Sequence, residues 1–167
     1  TCNDGGSGLA SACPSDVTYN AEGIFTAFGS ISDNAGNPAS ASFGPVNIDK
    51  TAPTFNCAAT STSWSATDVS RACTASDTGG SGLATAADFL LSTNVPANTE
   101  DANALTNSAA VSDNAGNSVT AGPLDGNKVD KKSPQLSSCD TADGLWHNAN
   151  VTLNCTYTDG GSGAGNL

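Results

Sequence analysis

Apolar and polar residues alternate over short stretches of this chain. Val69-Ser70-Arg71-Ala72-Cys73 and Val151-Thr152-Leu153-Asn154-Cys155 show the pattern clearly, and Gly23-Ile24-Phe25-Thr26-Ala27-Phe28 shows it in part. A period of two turns every second side chain to the same face of an extended strand. Asn47-Ile48-Asp49 and Asn127-Lys128-Val129 read as further short strands. Clusters of Gly, Asn, Asp and Pro lie between these runs, and those residues punctuate turns. The one stretch with any helical character, residues 84–91, lacks a 3.6-residue pattern sustained over the usual length of a helix. Short strands with turn signals every ten or so residues predict an all-β sandwich of about seven strands.

The pattern then repeats. Ser32-Asp33-Asn34-Ala35-Gly36-Asn37 recurs unchanged from Ser112 to Asn117. Asp49-Lys50-Thr51-Ala52-Pro53 recurs as Asp130-Lys131-Lys132-Ser133-Pro134, and Cys57, Trp64, Val69 and Cys73 recur as Cys139, Trp146, Val151 and Cys155. Gly-Gly-Ser-Gly begins at Gly5, Gly79 and Gly160. Matching order at a spacing of about 80 residues marks a tandem repeat. The Asp-Lys-x-x-Pro segments are its natural boundaries, because Pro stiffens the junction and holds the preceding residue extended. This division makes residues 50–130 a complete unit, 1–49 the later part of one unit and 131–167 the opening part of another. Two readings of the ends compete. In one, the chain is an excerpt of a longer array. In the other, the tail of one copy completes the headless unit of the next by strand addition.

Composition explains how so polar a chain can fold. Charged residues make up 13%, there is no Met, and large apolar side chains are few. Such a core struggles against chain entropy, and six Cys offer the remedy. The repeat spacing pairs Cys57 with Cys73 and Cys139 with Cys155, which leaves Cys2 for Cys13, although Cys2 holds the second strand's Cys position, whose usual partner would precede residue 1, and Cys13 has no counterpart in the next unit. Each 16-residue loop is worth roughly 3 kcal/mol in the chain-entropy model. Disulfides persist in oxidising surroundings, so an extracellular or cell-surface location is expected. No Cys-x-x-Cys occurs and His147 is the only His, which speaks against zinc. A net charge of −11 argues against nucleic acid and anionic membrane partners. It suits solubility and hard cations such as Ca²⁺. No apolar run is long enough to span a bilayer.

The combination Asp-Lys-Thr-Ala-Pro-Thr, then Cys, Trp, Val and Cys, then Gly-Ser-Gly-Leu-Ala, then Ser-Asp-Asn-Ala-Gly-Asn resembles the bacterial immunoglobulin-like repeats of large secreted and cell-surface proteins. The resemblance implies tandem Ig-like antiparallel β-sandwiches of about 80 residues each, built into stalks, adhesins or fibres. Some members of that family bind Ca²⁺ at inter-domain junctions through Asp. Carried over by position, the candidate ligands are Asp49 and Asp130 at the junctions, Asp33 and Asp113 in the Asp-Asn-Ala-Gly-Asn turns, and Asp77 and Asp159 before the Gly-rich turns. The competing reading is purely local, since Asp and Asn side chains bond nearby backbone in such turns.

No catalytic constellation emerges. His147 has no counterpart in the repeat, and Glu22 and Glu100, the only Glu residues, have no evident link. Gly-Gly-Ser-Gly lacks the following Lys and helix of a phosphate-binding loop. Trp64 and Trp146 are expected to pack over the disulfides. The expectation is therefore a non-enzymatic structural array whose partners are further copies of the same repeat. The alternative is a carbohydrate- or protein-binding module that recognises a surface glycan or protein.

Overall fold

The computed structural model describes residues 1–163. Among them there are eleven strands and no helix, and so no helix long and apolar enough to cross a membrane. The four closing residues of the stretch 131–167 lie outside the described residues.

The first segment is a two-stranded antiparallel ribbon, β1 (Gly23–Ser32) with β2 (Pro38–Ile48). The Asp33–Asn37 turn joins the two strands. Seven strands follow between residues 54 and 130: β3 (Thr54–Cys57), β4 (Ser70–Ser76), β5 (Asp88–Ser92), β6 (Glu100–Ala104), β7 (Ala109–Ser112), β8 (Ser118–Ala121) and β9 (Asn127–Asp130). They form a three-stranded sheet β3-β4-β5 and two pairs, β6-β9 and β7-β8. A last pair, β10 (Gln135–Cys139) with β11 (Cys155–Thr158), closes the described chain. The alternation at residues 151–155 thus marks a strand that starts later than expected, at Cys155. Residues 151–154 lie outside any strand and are exposed.

The central seven strands hold the core. Cys73, Ala75 and Leu91 from the three-stranded sheet meet Val111 and Ala121 from β7-β8, with Phe55, Cys57 and Leu83 packed around them. A second cluster joins Val95, Ala104 and Val129. Small residues dominate both, as the composition requires. Strands β3 and β4 pair so that Cys57 lies opposite Cys73, and the two are bridged. Cys139 and Cys155 face each other in the same way across β10 and β11 and are joined, as are Cys2 and Cys13.

Burial falls sharply outside the centre. Every residue of β10 and β11 is exposed, and so is all of β2 except Ile48. Among the described residues, only Leu90 and Leu105 of the exposed large apolar side chains belong to the central strands and their loops. The others, from Val17 to Val46 and from Leu136 to Tyr157, lie in the two flanking segments.

Candidate functional site: two acidic junctions

Asp49 follows β2, Asp77 follows β4 and Asp113 opens the turn after β7. Their carboxylates converge, with one oxygen of each lying within 4.8 Å of the others. Each is held by N–H donors. Asp49 accepts the Thr51 amide at 3.0 Å and the Ser81 amide at 2.9 Å. Asp77 accepts the Gly79 and Gly82 amides at 3.2 and 2.9 Å. Asp113, 3% exposed, accepts the amides of Ala115 and Asn117 and the Asn117 side-chain amide, all at 2.8–2.9 Å. Asn114 ties the two turns together by donating from its backbone to Gly82 O at 2.9 Å and from its side chain to Ser81 O at 2.8 Å. Asn117 also donates to the Asp49 carbonyl at 3.1 Å. Gly79 is required by this closeness, since a Cβ there would stand 2.0 Å from Asp49 Oδ1.

A second cluster repeats the design at the other end of the central strands. Asp130 closes β9, Asp159 follows β11, and Glu100 opens β6 directly opposite Asp130 in the β6-β9 register. Their oxygens also lie within 4.8 Å of one another. Asp130, 6% exposed, accepts the Ser162 amide and hydroxyl, both at 2.7 Å. Glu100 accepts the Gly161 amide at 2.6 Å. The Ser162 hydroxyl, then its amide, hold the Asp130 carboxyl below the ordinary carboxylate range. A Cβ at Gly160 would stand 2.0 Å from Glu100 Oε1, so here too the glycine turn is pressed against acid.

Of the sequence-predicted ligands, Asp49, Asp77 and Asp113 come together, and Asp130 joins Asp159. Asp33 lies outside both clusters. It keeps the local half of the arrangement. It accepts the Asn37 amide and side chain at 2.8 Å each, and the Asn37 side chain first, then its amide, lower its pKa. Asn34 reaches Gly8 O and Ser7 O as Asn114 reaches Gly82 and Ser81. Asp4 accepts the Gly8 amide at 2.7 Å as Asp77 accepts that of Gly82, though it stands one position nearer its glycine turn. Glu100 was missed by the sequence reading. The available signal was Glu22, which occupies the equivalent place and accepts the Thr51 hydroxyl at 2.5 Å, but its spacing departs from the repeat.

The donor set can be tested against a hard cation. All the groups are oxygen ligands on short side chains, which suits Ca²⁺ and disfavours softer metals. The N–H bonds leave lone pairs free, and three carboxylates this close repel unless positive charge is supplied. Asp159 Oδ1 is enclosed without any hydrogen-bond partner, an orphaned acceptor that normally requires compensation. The Ser81 side chain, ahead of its amide and that of Thr51, instead holds the Asp49 carboxyl below its usual range, against the effect of burial. The residues present therefore fit the group that the family resemblance implies.

The tryptophans depart from expectation. Trp146 is fully exposed and covers no disulfide. Trp64 is half-buried, carries the Lys128 ammonium 5.9 Å from its ring centroid, and lies beside Gly161. A Cβ at Gly161 would touch Trp64 Cζ3 at 3.1 Å. Trp64 thus borders the second acidic junction. The next residue, Ser65, exchanges backbone hydrogen bonds with Lys128 and Asp130 on β9, and this fixes the position. His147 sits in an exposed loop, 3.1 Å from Asp143.

Two ion pairs lie at the same end. Lys132 Nζ stands 3.9 Å from Glu100 Oε1 and supplies some positive charge to the second cluster. Lys131 Nζ lies 2.7 Å from Asp68 Oδ2 and from the Val95 carbonyl. The Lys131 ammonium, then the Val95 amide, hold the Asp68 carboxyl below its usual range. The unfolded carboxyl titrates near about 3.9. The stabilising contribution of Asp68 is therefore fully present above that pH and is lost as pH falls through the lower folded value. Asp33 and Asp130 shift in the same direction. Melting temperature should stay level from about pH 7 to about pH 5 and fall below about pH 4. Asp68→Asn should flatten part of that acid limb, as read by circular dichroism melts across pH.

No family model matches the chain, and no curated protein or solved structure matches it.

Proposed function

We propose that this chain is part of an extracellular structural array. In it, Ig-like sandwiches of about 80 residues are joined end to end by stiff acidic junctions that hold Ca²⁺, in a stalk, adhesin or filament. The observation that carries this reading is that one joint is built twice. Asp49 follows the strand before one boundary and Asp130 closes the strand before the other, and each reaches forward to accept a Ser amide in the next Gly-rich turn, Ser81 and Ser162. A free linker would not place carboxylate, glycine turn and proline in the same arrangement at both boundaries. The three disulfides and the small core suit an oxidising exterior.

Bound Ca²⁺ would neutralise the clustered carboxylates, and Asp49, Asp77 and Asp113 at one joint, with Glu100, Asp130 and Asp159 at the other, would hold it. The chain's own residues supply the rest. The glycine turns let the acids approach, Asn114 and Asn117 bind the turns to the preceding strand end, and Pro53 and Pro134 limit bending. Calcium titration followed by calorimetry is expected to show two bound ions per chain and a raised melting temperature that chelator reverses. Small-angle scattering should show a longer, narrower distance distribution with Ca²⁺ than with chelator. Absence of bound ion together with unchanged scattering would reject the calcium joints.

A further inference from the structure

We propose that Lys132 is a resident counter-charge of the second acidic junction, which lowers that junction's affinity for Ca²⁺ and makes it fill after the first. The inference rests on the calcium-joint reading above and assigns the regulation of the same sites.

Basic side chains are scarce, five Lys and Arg against sixteen Asp and Glu, so their placement matters. Lys128, Lys131 and Lys132 gather at the second junction. Lys128 lies over the Trp64 ring, and Lys131 is engaged by Asp68 and the Val95 carbonyl. Of the three, Lys132 is aimed at the acids, with Nζ 3.9 Å from Glu100 Oε1. At the first junction Lys50 turns away and donates to the Asn20 carbonyl at 2.5 Å.

The two boundaries differ at one matched position. Asp49-Lys50-Thr51 aligns with Asp130-Lys131-Lys132, so Lys132 takes the place of Thr51. Their backbones act alike, each amide donating to the Asp two residues back at 3.0 Å. Their side chains do not. Thr51 gives its hydroxyl to Glu22 at 2.5 Å, a neutral donor on a Glu that stands outside the cluster of Asp49, Asp77 and Asp113. Lys132 sets a positive charge beside Glu100, which belongs to the cluster with Asp130 and Asp159. The carboxyls register the difference. Asp49 is lowered by the Ser81 side chain, then by the Ser81 and Thr51 amides, with no cation among the causes. At Asp130 the Ser162 hydroxyl and amide lead, and the Lys132 amide and ammonium add to them.

The ion pair itself does little for the fold. Its side chains are 44% and 29% exposed, and so open a pair contributes little to stability. Its effect is local and electrostatic. Clustered carboxylates repel one another until positive charge arrives, and the Lys132 ammonium already supplies part of it. Partly neutralised acids attract a divalent cation less, and the ammonium repels it directly. One such charge beside a partly solvated site lowers affinity by about fivefold. The array therefore stiffens in two steps, at the first junction and then, at higher Ca²⁺, at the second.

The test is isothermal titration of Ca²⁺ into the full disulfide-bonded chain with one junction silenced at a time. Asp77→Asn leaves the second junction to be read, and Asp159→Asn leaves the first. The first is expected to bind more tightly. Added to these backgrounds, Lys132→Gln should tighten the second junction by about fivefold and leave the first unchanged. Lys132→Arg keeps the charge and should leave both as they were. Lys132 is exposed, so both variants should keep the parent's circular dichroism and its melting temperature in chelator. A second junction as tight as the first, no gain with Lys132→Gln, the same gain with Lys132→Arg, or an equal gain at both junctions would overturn the proposal while the calcium joints stand. Absence of binding at both junctions in the unaltered chain would overturn the joints themselves and the proposal with them.

Discussion

Reduction of the Cys57–Cys73 bridge is expected to destabilise the central seven strands by about 3 kcal/mol, the chain-entropy value for a loop of this length. The bridge joins β3 to β4 at a register pair, and Cys73 is 2% exposed at the centre of the larger cluster. That cluster is made of one Leu, one Val, two Ala and a half-cystine. Burying side chains this small releases little free energy from water. The link's effect on the unfolded chain is therefore a large share of a stability that is ordinarily only about 5–15 kcal/mol. Denaturant unfolding with and without reductant, with six thiols counted in the reduced sample, measures it. The double variant of Cys139 and Cys155 to Ser is a built-in comparison. Its strands are exposed throughout, so the central transition should barely move. An unchanged midpoint after full reduction would mean that packing alone holds β3 on β4.

The second large effect is expected at Asp113. Asp113→Ala removes a buried carboxylate that accepts three N–H groups. Charge-assisted bonds are the stronger class, and donors left without partners inside the protein add their desolvation cost. A loss of about 2–3 kcal/mol follows. Asp33 lies in an identical hexapeptide and binds Asn37 in the same way, but it is only half-buried. Asp33→Ala should therefore cost below about 1 kcal/mol, because water replaces the lost acceptor. Urea midpoints of the two variants decide the matter. Equal losses would show that the hexapeptide acts as an isolated turn, indifferent to what covers it. The pair also separates turn from joint, since only Asp113→Ala should abolish the rise in melting temperature on adding Ca²⁺ at the first junction.

Much of the local structure was legible along the chain. The Asp-Asn-Ala-Gly-Asn and Gly-Gly-Ser-Gly turns are set by hydrogen bonds between residues two to five apart, so their residue types announce them. The strand at residues 70–76 and the bridge across it were readable from alternation and spacing. The position of β11 was not. Residues 151–154 alternate well, but alternation is satisfied on either side of a short shift. Pairing with β10, which carries its own irregularity between Leu136 and Ser138, selects 155–158 instead. The tryptophans misled for a related reason. Their place between two Cys suggested packing over the bridge. Trp64 instead follows the backbone bonds of Ser65 to β9, and these carry it to the junction.

By itself, the amino-acid order determined an all-β chain of short strands, its turns, the pairing of Cys57 with Cys73 and of Cys139 with Cys155, and the period at which these recur, because each depends on residues close in sequence or on simple spacing. The tertiary structure alone decided which acids meet. Asp49, Asp77 and Asp113 come from three separate strand ends, and Glu100 joins Asp130 only through a β6-β9 register that is interrupted between Asp101 and Ala104. Register and the approach of distant turns follow from how sheets pack and where glycine admits close contact, and no pattern of period two encodes them.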